Sequence, residues 1–188
     1  LVAQEVTNGR SYAQFRSDQP GKLSLGFFSG RFRKSIVGDS LEVWYHPRHE
    51  AIVPALHTAQ RTGLEFLSTL LGPYGYAHNQ VVAFPRALGT HATTYGQVLP
   101  LSEVRWWADT AAAHFFLPGY MVMHELAHHW WGQQLLPASG PGATFLTESM
   151  AEYLSLRMLE SAYGKQALEY FLLLQRDRYL ELLNNAKP

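Results

Sequence analysis

The sequence predicts an α+β domain in which strands dominate the first half of the chain and helices the second half. Short β-prone runs bounded by Gly or Pro occupy the first half, and apolar residues at helical spacing occupy the second. Of the 188 residues, 47% are hydrophobic and 16% are charged, so the chain can bury a substantial core. The length suits one large domain or a domain and a half.

The first half contains four strand-like or extended segments and one long helix. Gly or Pro bounds or interrupts each of these segments. Apolar residues recur at helical spacing over residues 50–71, and Gly72-Pro73 ends that helix. The predicted strands and extended segments are residues 24–33, 41–45, 80–84 and 93–101.

The second half predicts three helices. The first helix is apolar on nearly every side, which is typical of a buried helix. The last two helices are separated by Tyr163-Gly164. The helices cover about residues 118–136, 143–161 and 165–183, a loop covers 137–142, and residues 102–117 fit either a loop or a helical turn.

Composition excludes several kinds of partner and site. Lys and Arg total 15 and Asp and Glu total 15, so the charge balance gives no reason to expect nucleic acid or an anionic membrane. No apolar run is long enough for a transmembrane helix, and we expect no membrane insertion by this segment. Because the chain has no Cys and nine His, any metal must be held by His and carboxylates.

The predicted buried helix carries the sequence HELAH at residues 124–128. Residues four apart lie on one helix face, so His124 and His128 can both reach one metal ion at about 2 Å. Glu125 is rotated by about 100° from His124, where its carboxylate can bond a metal-bound water without being a ligand. The pattern is the H-E-x-x-H metallopeptidase signature. The alternative, two histidines hydrogen-bonded in a core, is weaker because buried charges need partners or a metal.

The third ligand of a catalytic zinc site must come from another part of the chain. No His follows His129, which leaves the downstream carboxylates Glu148, Glu152 and Glu160. Glu148 and Glu152 lie one turn apart on the next predicted helix. Periodicity alone leaves two interpretations open, a solvated helix face and a face that carries a ligand.

The second half resembles the membrane alanyl aminopeptidase family of gluzincin metallopeptidases. That family follows H-E-x-x-H with W-L-N-E-G-F-A, and residues 145–153 here read FLTESMAEY. The family's H-x-W-x-G is similar to residues 128–132, HHWWG. Looser similarity at residues 44–47, 71–74 and 82–85 extends the resemblance from about residue 24 to the C-terminus. It is closest to divergent bacterial members, some of which are joined to multi-pass membrane transporter-like segments.

The resemblance implies one Zn²⁺ per chain, with His124, His128 and Glu148 as ligands and Glu125 as the catalytic base. It implies aminopeptidase-like hydrolysis of a peptide substrate, by attack of a zinc-bound water that Glu125 activates. Glu152 has two open interpretations, a carboxylate that holds a zinc-binding imidazole by its N–H and a surface carboxylate.

The implied fold is a thermolysin-like catalytic domain, with an N-terminal mixed β-sheet and a mainly helical C-terminal half that carries the zinc site. We expect this domain to cover residues 24–188 and to be truncated at its C-terminus, with residues 1–23 ending a preceding segment or domain. The chain is expected to be a soluble domain and a piece of a longer protein. The compartment is left open, and a larger membrane-associated protein is one interpretation.

Three departures from the family pattern keep other functions open. The separation of His128 from Glu148, 19 residues, is one longer than is usual in the family. The family's G-A-M-E-N, whose Glu binds the substrate amine, matches residues 91–95, HATTY, which have no acidic residue. The family's oxyanion-stabilising Tyr would fall beyond Pro188. The alternatives are a non-catalytic, zinc-containing peptide-binding module and a zinc hydrolase that acts on a non-peptide substrate.

Overall fold

The computed structural model describes residues 2–14, 16, 26–85, 91–103 and 117–185. It has an α+β architecture with a mixed sheet, which confirms the predicted fold class at that level. Most of the segment 102–117, which fitted either a loop or a helical turn, lies outside the described residues. The predicted domain boundary between residues 23 and 24 lies outside them as well and stays a prediction.

Two strands near the N-terminus, β1 (Ala3–Thr7) and β2 (Arg10–Gln14), form an antiparallel hairpin that the sequence did not predict. Every residue of both strands is exposed. Because no face of the hairpin is buried, its sequence lacks the alternation that marks a half-buried strand. The hairpin forms a two-stranded sheet of its own.

The main sheet has four strands in the order in which they occur along the chain. The first two are antiparallel and the remaining neighbours are parallel. A helix, α1 (Val53–Leu71), follows a short 3-10 turn and connects the second strand to the third. The strands are β3 (Arg33–Val37), β4 (Leu41–Tyr45), β5 (Asn79–Phe84) and β6 (Val98–Ser102).

Two predicted extended segments differ from the structure. The strand predicted for residues 24–33 begins only at Arg33, where pairing with Tyr45 of β4 starts. Residues 93–101 form two arms rather than one strand, because the chain reverses at Gly96, whose φ is +56°. Residues 91–95, which we call the edge arm, lie antiparallel beside β6 and border the sheet.

The second half contains three helices and one π-helical turn. Gly164, with a φ of +83°, separates the last two helices as the sequence predicted. The π-helical turn covers Phe145–Ser149 and leads directly into the second of the three helices. The helices are α2 (Leu117–Ala127), α3 (Met150–Tyr163) and α4 (Lys165–Asn185).

The end of α2 comes at Ala127, so the predicted continuation to about Leu136 was wrong. After Ala127 the backbone N–H groups of His129 and Trp130 donate to carbonyls only three residues back. Gly132 then adopts a φ of +109°, which a helix cannot contain. In this segment Trp130 is buried, whereas Leu135 and Leu136 are exposed. These apolar side chains had indicated that the helix continues.

The core lies between α1, α2, α3 and the sheet. At Gly63 of α1 an added Cβ would lie 2.7 Å from Cδ1 of Leu126, so the two helices approach closely at this point. Leu126, which lies between the two histidines in the HELAH sequence, is fully buried. Its contact with Gly63 fixes the position of α2 along α1. Among the described residues, no helix is long and apolar enough to cross a membrane.

Candidate metal centre

His124 and His128 meet Glu148 at one point. Oε2 of Glu148 lies 3.8 Å from Nε2 of His124 and 3.4 Å from Nε2 of His128. The three donor atoms lie within 4.8 Å of one another. His124 is in the last turn of α2, His128 follows its end, and Glu148 is in the π-helical turn.

These separations fit a tetrahedral zinc ion. With ligand bonds of about 2.0–2.1 Å, tetrahedral geometry requires donor atoms about 3.3 Å apart. The separations of Oε2 of Glu148 from the two Nε2 atoms exceed this value by only about 0.5 and 0.1 Å, so the group can hold a metal ion. Two imidazoles and one carboxylate are also a donor set of the catalytic type, which leaves a fourth position open.

Hydrogen bonds at the far side of each ring orient both imidazoles. Nδ1 of His128 lies 3.1 Å from the carbonyl oxygen of Trp131, which can only accept, so this nitrogen carries the proton. Nδ1 of His124 lies 3.1 Å from Oε2 of Glu152. When both rings are neutral, as metal binding requires, each Nε2 atom has a lone pair available on the side of Glu148. Three acceptors that converge without a donor between them form a site for a cation.

Glu152 is held by more than its contact with His124. Burial alone would raise the pKa of its carboxyl, but hydrogen bonds with His124 and Tyr120 lower the pKa below its usual value. Ser155, one turn along α3, donates to the hydroxyl of Tyr120 at 3.1 Å. Of the two interpretations of Glu152, the structure supports the contact with the ring N–H of His124.

Glu125 lies behind the cluster with only 5% of its surface exposed. Burial raises the pKa of its carboxyl, partly opposed by a hydrogen bond from Thr94 and by the charges of His124 and His128. The hydroxyl of Thr94 donates to Oε2 of Glu125 at 2.7 Å. Sequence reasoning missed Thr94, because nothing in a lone Thr signals a contact with a residue 31 positions further along.

The turn after α2 also contacts the segment that carries Glu148. A Cβ added at Gly132 would lie 3.3 Å from Cγ2 of Thr147, the neighbour of Glu148. The carbonyl that holds His128 belongs to Trp131, the residue before Gly132. The segments that support His128 and Glu148 therefore approach each other closely.

His129 is fully buried next to His128. Its ring lies 5.3 Å from that of Tyr74 and 5.4 Å from that of Tyr76, measured between centroids. Burial lowers the pKa of His129 to about 3, so the ring is neutral. It does not join the cluster.

An open cleft of about 410 Å³ adjoins the cluster. The carboxylates of Glu148 and Glu152 lie at this cleft together with Tyr153 and Leu156. The ligand cluster is thus accessible to a molecule from solvent. The predicted roles of His124, His128 and Glu148 as ligands, and of Glu125 as the base, stay predictions.

Comparison with known proteins gives a structural likeness only. No protein-family model and no curated protein sequence matches the chain. Yeast LTA4 hydrolase in complex with bestatin matches with a TM-score of 0.64 and 15% identity, over 84% of this chain and 24% of that chain. Native leukotriene A4 hydrolase from Saccharomyces cerevisiae matches with a TM-score of 0.60 and 16% identity, over 78% of this chain and 22% of that chain. The chain spans about a quarter of the length of these structures and shares the fold of that quarter.

Proposed function

We propose that this chain is the zinc-binding part of a gluzincin metallopeptidase of the membrane alanyl aminopeptidase family. The observation that carries the proposal is the convergence of two Nε2 lone pairs and one Glu148 oxygen beside the buried carboxylate of Glu125. The fold shared with part of yeast LTA4 hydrolase supports it, since that protein is by name a hydrolase.

His124, His128 and Glu148 would hold the ion. When bound, zinc acts as a Lewis acid that polarises the scissile carbonyl and lowers the pKa of a coordinated water. Glu125 accepts a proton from the attacking water on its carboxylate and gives it to the leaving amine. In the metal-free chain, burial raises the pKa of Glu125 above that of an exposed carboxyl.

The substrate is proposed to be a peptide that binds in extended form along the edge arm. Main-chain bonds join His91, Thr93 and Tyr95 to β6, so the backbone of Thr94 faces the outer side of the arm. A peptide can add to such a side as a further strand, with main-chain bonds supplying affinity. The arm has no acidic side chain to bind a free α-amine. Binding through the backbone therefore does not require a free N-terminus.

The decisive test compares Glu125→Gln with wild type after zinc loading. The variant is expected to keep about one zinc per chain in plasma mass spectrometry and to lose peptide hydrolysis, because only the proton acceptor is removed. Glu148→Ala is the matched ligand variant and is expected to lose zinc. Undiminished turnover by Glu125→Gln, or full zinc retention by Glu148→Ala, would contradict the assigned role.

A pair of peptides with free and with acetylated N-termini separates exopeptidase from endopeptidase action. Cleavage of only the free peptide would support the aminopeptidase label, and similar rates on both would remove it. A peptide-binding module without catalysis is less well supported, because such a module has no use for a buried carboxylate beside the metal ligands.

A further inference from the structure

We infer that Thr94 is the positioning residue for Glu125, and that its hydroxyl fixes the orientation of the carboxylate which the proposed function uses as the base. This inference rests on the proposed function for its catalytic meaning. The contact between the Thr94 hydroxyl and the Glu125 carboxylate does not depend on that function.

The first observation is the contact between the two side chains. Oγ1 of Thr94 lies 2.7 Å from Oε2 of Glu125, a short distance that is typical of a hydroxyl donating to an ionised carboxylate. Among the described residues, no other side chain donates a hydrogen bond to this carboxylate. Loss of this donor would leave Oε2 of a buried carboxylate without that hydrogen bond, which costs free energy, so the contact favours one orientation of the carboxylate.

The second observation is that the same hydroxyl lies 3.0 Å from the main-chain carbonyl oxygen of Glu125. Glu125 is in the last turn of α2, where carbonyl groups lack partners within the helix. The N–H of His129, which would bond this carbonyl in a continuing helix, donates to Leu126 instead. Thr94 therefore contacts both the side chain and the backbone of Glu125.

The third observation is that main-chain hydrogen bonds to β6 hold the residues on either side of Thr94. Its neighbours Thr93 and Tyr95 donate to the carbonyls of Pro100 and Val98 in β6, at 3.2 and 2.8 Å. Val98 returns a bond to Tyr95 at 2.9 Å, which closes the turn at Gly96. The hydroxyl that contacts Oε2 of Glu125 is thus positioned by the sheet.

The arrangement joins the edge arm to the base. A peptide that binds along the outer side of the arm lies against the strand that carries the donor to Glu125. Binding and alignment of the base therefore share one residue.

The test replaces Thr94 with Val, which keeps the shape and removes the donor, and with Ser, which keeps the donor. We expect Thr94→Val to lower kcat about 10- to 100-fold with KM and zinc content unchanged, because a misplaced base loses rate without losing binding. Thr94→Ser is expected to stay within about threefold of wild type. Thr69→Val, which removes a hydroxyl on α1 that bonds the Glu65 carbonyl, is the matched control.

Thr94→Val with the kcat of wild type would overturn the inference. A zinc-loaded wild type that cleaves no peptide would overturn the proposed function instead. In that case thermal unfolding tests the contact between Thr94 and Glu125. The drop in Tm that Thr94→Val causes in wild type is compared with the drop that it causes in Glu125→Met. A smaller drop in Tm in the Glu125→Met background supports the contact, and equal drops overturn it.

Discussion

Nδ1 of His124 lies 3.1 Å from Oε2 of Glu152, and this contact decides which nitrogen of the ring is left for a metal. His124 is on α2, Glu148 is in the π-helical turn, and Glu152 is on α3, which continues directly from that turn. Adjoining segments therefore carry both Glu148 and the partner of His124. Partners of this kind orient the imidazole and raise its basicity.

Removing the Glu152 carboxylate should weaken zinc binding without removing a ligand. We expect Glu152→Ala to lower zinc affinity about 10- to 100-fold. Glu152→Gln should have a smaller effect, because its amide oxygen can still accept from Nδ1. A competition titration with a chromogenic chelator measures both. Equal affinity of Glu152→Ala and wild type would show that the contact does not tune the site.

Stripping the metal should leave the fold intact. The buried core between α1, α2 and the sheet includes apolar residues of α2 but not His124, His128 or Glu148. We therefore expect the far-UV circular dichroism of the chelator-treated chain to match that of the zinc-loaded chain, with a lower Tm, since zinc stabilises only the state that binds it. Loss of the helical signal on chelation would instead indicate folding that depends on the metal.

Gly63→Ala should destabilise the contact between α1 and α2. The new Cβ would lie 2.7 Å from Cδ1 of the fully buried Leu126, which must move. Overpacking of this kind costs about 1–3 kcal/mol, more than the gain of about 1 kcal/mol from helix propensity. Denaturant unfolding of Gly63→Ala measures the net loss. Thr58→Ala, at an exposed position of α1, is the control and should be close to neutral.

His129 should make the metal-free chain sensitive to acid. Its pKa is about 3 in the folded chain and about 6.5 when unfolded, so the unfolded state binds the proton first. The contribution of neutral His129 to the free energy of unfolding is fully present above the unfolded pKa of about 6.5. It is lost as pH falls below that value, by up to about 1.4 kcal/mol per pH unit. We expect His129→Gln to flatten the decline in unfolding free energy below about pH 6.5, measured with chelator present.

The control for this experiment is His46→Gln, at an exposed position. The slope of His129→Gln is compared with the slope of this variant, which also exchanges one His for Gln. An unchanged slope in His129→Gln would mean that other buried groups carry the acid sensitivity.

The sequence predicted those features that depend on local periodicity. The strand at residues 41–45 and the break at Gly164 agree with the structure, because alternation and a positive φ have local signatures. The proximity of His124 and His128 follows from their spacing of one helical turn. Glu148 came from resemblance, since periodicity left its helix face open to two interpretations.

The features that sequence reasoning missed depend on contacts between distant segments. α2 ends at Ala127, before the turn around Gly132. The Trp and Leu residues near that turn had indicated that the helix continues. Thr94 reaches Glu125 only because the edge arm lies beside β6. The β1–β2 hairpin buries no face and so leaves no hydrophobic pattern to find.

The contact between Gly132 and Thr147 has a consequence for how this chain can vary through evolution. Since the turn that supports His128 touches the segment that bears Glu148, the distance between these ligands is set locally. The exposed residues 139–142 therefore form a detour that contributes nothing to that distance. A change in the length of this loop can therefore leave the spacing of His128 and Glu148 unaltered.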